Sequence, residues 1–93
     1  MENFVILATF ANPGAMKPED TGAMMTQVQA TAKGLGINLS TWLVLQGQYD
    51  SLLVFQAPNA GIAMKFAVFL ARNGLRTETI RAFTLEEAAA NLG

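Results

Sequence analysis

Trp42, Tyr49, Asp50, Arg76 and Glu78 are the residues of this chain whose types and spacing suit work on a ligand. An arginine can hold an anionic, carbonyl or enolate oxygen, and a carboxylate such as Glu78 or Asp50 can accept a proton. Trp42 and Tyr49 offer rings on which an aromatic substrate could stack. Each also has a structural reading. Asp50 can cap a turn, Tyr49 can make a hydroxyl bond beside it, and Trp42 can fill a core or an interface. Arg76, Glu78 and Arg81 can form ion pairs within or between subunits, because a charge in mid-strand needs a partner or water. The two sets of readings stand side by side at this level, and no residue is assigned a catalytic role.

The absent residue types narrow the chemistry. The chain has no Cys and no His. That removes disulfides, thiolate nucleophiles, imidazole bases and nearly all zinc-site chemistry. Glu19-Asp20 is an isolated acidic pair without the alternating spacing of a calcium loop. No metal and no cofactor is therefore expected. Lys17, Lys33 and Lys65 are scattered, net charge is −1, and phosphate binding needs clustered bases, so no nucleic-acid partner is expected. The longest apolar run, 62–71, is interrupted by Lys65 and falls short of the ~18 residues a membrane span requires, so no membrane association is expected. Met1-Glu2-Asn3 lacks the basic start of a signal peptide, which leaves the cytoplasm as the expected location.

The elements that must position these residues are legible from periodicity. Phe4 to Phe10 alternates with apolar residues on both faces, as in a central strand covered on both sides. Asn12-Pro13-Gly14 is turn chemistry. A helix is expected from Pro18, with Glu19 and Asp20 in its first turn, to about Lys33. Met25, Val28, Ala32 and Leu35 form its core stripe, and Gly34 and Gly36 end it. Strands are expected over Ile37–Gln46 and Ser51–Gln56, joined by the Gly47-Gln48-Tyr49-Asp50 turn. Pro58-Asn59 then stops the strand and caps a second helix, through Arg72. Ile62, Ala63, Phe66, Ala67, Phe69 and Leu70 face its core. Met64 and Val68 fall outside that stripe, as scattered exposed hydrophobes or as a subunit contact. Asn73-Gly74 closes the helix, and a polar strand runs from Arg76 to Phe83. On it Arg76, Glu78, Ile80 and Ala82 share one face, while Thr77, Thr79, Arg81 and Phe83 share the other. Thr84-Leu85-Glu86-Glu87 reads as a capping box for a short final helix.

The order β-α-β-β-α-β predicts a single α+β domain, 1–93, of ferredoxin-like arrangement: an antiparallel four-stranded sheet with both helices on one face. The other sheet face is apolar too, and 52% of the 93 residues are hydrophobic while only 14% are charged. Typical domains are about 25% charged. Self-association is the expected outlet for that surface: sheet-to-sheet pairing into a dimeric α/β barrel, as a homodimer or a larger assembly of dimers.

The runs Gly47-Gln48-Tyr49-Asp50, Phe55-Gln56-Ala57-Pro58 and Arg76-Thr77-Glu78-Thr79-Ile80-Arg81-Ala82-Phe83-Thr84 resemble the GYD domain family. The resemblance is dense over residues 42 to 87 and looser over 1 to 36. Here Gln48 stands between the Gly and the Tyr, and the first helix is richer in Met, Gln and Thr than is usual in the family. The resemblance implies a small dimeric α/β barrel protein with no established activity. It transfers no catalytic residue.

Two classes of function follow. One is a non-catalytic small-molecule-binding or oligomerisation module, with Met16, Met24, Met25 and Met64 as adaptable packing or as a lining for a hydrophobic ligand. The other is a cofactor-independent barrel enzyme, monooxygenase- or isomerase-like, acting on an aromatic or anionic substrate. An enzyme would need a cavity of about 300 Å³ or more with converging polar groups.

Overall fold

Alternation in the first strand sets the layering of the molecule. In the computed structural model, which describes residues 1–11 and 21–92, β1 (Glu2–Phe10) buries Phe4, Ile6 and Ala8 and leaves Val5 and Leu7 half-buried. β2 (Asn38–Val44) and β3 (Ser51–Ala57) form a hairpin, and β4 (Leu75–Ala82) completes an antiparallel sheet of order β2-β3-β1-β4. α1 (Thr21–Gly34) and α2 (Ala60–Arg72) cover one face, and α3 (Leu85–Leu92) follows β4. The order β-α-β-β-α-β-α is the expected α+β, ferredoxin-like arrangement. The Asn12-Pro13-Gly14 turn and the helix start at Pro18, Glu19 and Asp20 lie outside the described residues.

Register divides the sheet into two different faces. On the helix side Leu39, Phe55, Phe4 and Arg81 form one row, and Trp42, Leu53, Ile6 and Thr79 the next. Leu39 and Trp42 are three apart, yet both pack against the core. An irregularity between Leu39 and Thr41 makes this possible, since one extra residue reverses the side-to-side alternation. On the open side the rows read Asn38, Gln56, Asn3, Ala82; then Thr41, Val54, Val5, Ile80; then Leu43, Leu52, Leu7, Glu78. Arg76 lies opposite Thr9 beyond them. Arg76 and Glu78 therefore belong to the face that α1 and α2 do not cover.

The core sits between helices and sheet. Phe55 stacks on Phe4 at 5.6 Å and meets the edge of Phe66 at 5.2 Å. α2 buries Ala63, Phe66 and Leu70, with Ile62 and Ala67 packed beside them. Its Asn59 cap accepts from the Ile62 amide at 2.9 Å, which satisfies a donor the helix cannot. Met64 and Val68 stand on the exposed side of α2. In α1 the packed stripe is Met24, Val28 and Ala32, continued by Leu35 just past the helix end. Met25, expected in that stripe, is 43% exposed, and its neighbour Met24 packs against the core instead.

Arg81 closes the end of the sheet where β1 begins. Its Nε lies 3.6 Å from Glu2, and Nη1 donates to the Asn3 carbonyl at 2.9 Å and to the Ala82 carbonyl. The guanidinium also lies over the Phe83 ring at 4.4 Å, a favourable contact with the face of a π-system. The ion pair expected of Arg81 is thus made within the chain. No helix among the described residues is long and apolar enough to cross a membrane.

Candidate functional sites on the two faces of the sheet

Gly47 takes φ +136°, a region open in practice to glycine alone. The loop it bends returns to the sheet at Asp50, whose backbone oxygen accepts from Leu45 at 2.8 Å and whose amide donates to the Ala8 carbonyl at 2.8 Å. The Asp50 carboxylate accepts from the Phe10 amide at 2.8 Å. Two of these bonds fasten the loop to the end of β1, and the Leu45 bond closes the β2–β3 hairpin. Tyr49, carried by the same loop, donates its hydroxyl to Glu78 Oε2 at 2.9 Å. That bond joins the hairpin to β4, two strands away in the sheet. The hydrogen bond to Glu78, followed by the negative charge of the same carboxylate, holds the Tyr49 pKa above its ordinary value. At neutral pH this hydroxyl is a donor, not a base.

At the opposite end of the open face the polar groups form a chain. Asn38 Nδ2 and Ser40 Oγ donate to Gln56 Oε1 at 2.9 and 2.7 Å. Gln56 Nε2 donates to Asn3 Oδ1 at 3.1 Å, and Asn3 Nδ2 to Glu87 Oε1 at 3.0 Å. Glu87 also accepts from the Thr84 amide at 2.9 Å, while Thr84 Oγ1 accepts from the Glu87 amide at 3.0 Å. The capping box is formed as expected, and it ties α3 to the sheet through Asn3. The backbone bond from Thr84 is the main reason the Glu87 pKa lies below its ordinary value, against an opposing desolvation effect. Between the two polar ends lie Val5, Leu7, Leu43, Leu52, Val54 and Ile80. Sequence periodicity indicated this apolar face, but the relay through Asn3 and Gln56 depends on cross-strand register and left no motif.

A cavity of about 350 Å³ opens on the helix side. Met24 and Met25 of α1, Leu39 and Trp42 of β2, and Leu53 of β3 are among its walls, with Gln29, Ser40, Thr41 and Ser51 as polar members. Its described lining contains no ionisable side chain. The sequence candidates therefore do not converge on one site. Tyr49 and Glu78 meet, Arg76 stands on the same face as Glu78, Asp50 secures the backbone, and Trp42 lines the cavity behind the sheet. Of the four methionines considered as a hydrophobic lining, Met24 and Met25 are there, Met64 is on the outer side of α2, and Met16 lies outside the described residues. No group of three or more acidic residues among those described could hold a metal ion.

The model of the GYD domain matches residues 4–92. The chain belongs to the GYD domain family. The match extends through the looser amino-terminal part as well as the Gly47–Asp50 loop and β4. For this GYD domain, the motif residues Tyr49 and Asp50 act in the structure as fasteners of the hairpin to β1 and β4. A comparison with curated proteins gave no match.

Proposed function

We propose that this GYD domain is a non-catalytic homodimeric module of the cytoplasm, two copies packing open sheet face to open sheet face as a dimeric α/β barrel. One observation carries this reading. Val5, Leu7, Leu43, Leu52, Val54 and Ile80 form a contiguous apolar field on the face that α1 and α2 leave uncovered, bordered by polar groups at both ends. Four strands at ~4.8 Å spacing and about seven residues at ~3.3 Å rise give a projected face of roughly 450 Å². Side-chain relief enlarges that figure toward the ~800 Å² per partner of a standard interface. At ~25 cal/mol per Å² such burial can offset the cost of association. Arg76, Glu78 and Tyr49 would then lie at the rim, where charges contribute partner orientation more than affinity. Met64 and Val68 on the outer side of α2 offer a second contact for assemblies of dimers.

The alternative, a cofactor-independent barrel enzyme, is favoured by the Tyr49–Glu78 pair with Arg76 on the same face. It would place an aromatic or anionic substrate between the sheets, with Arg76 holding its oxygen and Tyr49 as proton donor. The apolar field beside that pair favours the module. Sedimentation of the native protein and of Val54→Lys tests the reading: a dimer that the variant converts to a folded monomer supports it, and a native monomer contradicts it.

A further inference from the structure

The helix-side cavity lies behind the sheet from the apolar field, the two meeting at Thr41 of the edge strand β2. α1 fully buries only Val28 and Ala32 among its described side chains, both in its second half. Beside its first half, at Met24 and Met25, the described residues leave a solvent-open pocket of about 350 Å³. A cavity of ~150 Å³ lined by aliphatic and aromatic side chains holds one benzene ring, so this volume suits roughly two fused rings.

Charge and polarity narrow the occupant further. With no ionisable group in the described lining, a charged ligand would lose its hydration without compensation. Ser51 is the one buried polar residue among those described. Its hydroxyl has no hydrogen-bond partner among the described residues, and Ser51 lines the cavity. Trp42 adds a half-buried indole ring and Met24 and Met25 add polarizable thioethers, surfaces that favour aromatic contact.

We propose that the cavity between α1 and the β2–β3 hairpin binds a neutral, two-ring aromatic molecule bearing one hydroxyl, which exchanges a hydrogen bond with Ser51. The site lies behind the sheet from the proposed subunit contact, and Thr41 of the edge strand β2 borders both.

The test uses 2-naphthol and, as its charged counterpart of similar shape, 2-naphthoate at neutral pH. The readout is the NMR signals of the Trp42 indole N–H, the chain's only tryptophan, and of the Met24 and Met25 methyl groups. Saturable shifts of these signals with 2-naphthol are expected, with at least tenfold weaker binding of 2-naphthoate. Ser51→Ala should weaken 2-naphthol binding about threefold to tenfold, in line with loss of one neutral hydrogen bond. An absence of saturable shifts up to the solubility limit of 2-naphthol would overturn the proposal, as would equal affinity for 2-naphthoate. Shifts confined to Val5 and Val54 would overturn it too, because they would place the ligand on the open face. Unchanged affinity in a folded Ser51→Ala protein would overturn the hydrogen-bond assignment.

Discussion

The Tyr49 hydroxyl and the Glu78 carboxylate are 2.9 Å apart and joined by a hydrogen bond. This relationship links the hairpin loop to the far edge strand across β1, and it has a measurable consequence. Tyr49 is the chain's only tyrosine, so the ultraviolet absorbance of tyrosinate titrates it directly. Its pKa is raised, so the bond's contribution to stability is complete below the ordinary value of 10.0 and is lost as pH rises through the raised one. Glu78→Gln should move the titration midpoint back toward that ordinary value. An unchanged midpoint would mean that another group sets it.

Asp50 makes a stability prediction. Its carboxylate accepts from the Phe10 amide in a partly buried position. Asp50→Ala leaves that amide without its partner and should cost about 1–3 kcal/mol in urea denaturation. Asp50→Asn keeps an acceptor oxygen and should cost less. Equal losses in the two variants would point to the charge, not the hydrogen bond, as the fastener.

At the other end of the sheet, Glu87 predicts a response to acid. Its folded pKa is depressed chiefly by the Thr84 amide. Its contribution is therefore present above the ordinary glutamate value and lost as pH falls through the depressed one. Hydrogen exchange in α3 should accelerate over that range before exchange in β1 does. Asn3→Ala, which removes the donor from β1, should loosen α3 at neutral pH as well. If α3 and β1 lost protection together at every pH, the helix would not be an independently released element.

Much of this architecture was legible in the sequence. Period-two alternation gave the strands, Asn59 and Thr84 announced the helix starts that the structure contains, and the Arg76/Glu78 against Thr77/Arg81 division of β4 follows from alternation alone. What was not legible came from packing and register. The irregularity between Leu39 and Thr41 changes which residues of β2 face inward, and only pairing with β3 reveals it. Met24 replaces Met25 in the stripe of α1, since both fit a helical period and contact with the sheet decides between them. The candidate site was less legible still. Trp42 and Glu78 are both suited to a ligand, but nothing in their spacing shows that they lie on opposite faces of the sheet.

The core predicts a further loss. Phe66 is fully buried and meets Phe55 edge to face. Phe66→Ala should destabilise the fold by about 3–5 kcal/mol. In a domain this small that is a large share of the total stability. A loss below ~1 kcal/mol would mean that the space between α2 and β3 closes without it.

The central claim is that the open face is buried against a second copy, and sedimentation equilibrium at micromolar concentration tests it most directly. The native protein should sediment at about twice the 10.0 kDa chain mass, and Val54→Lys, which puts a charge in the middle of the apolar field, should sediment as a folded single chain. A native protein that remains at 10.0 kDa across the micromolar range would contradict the account.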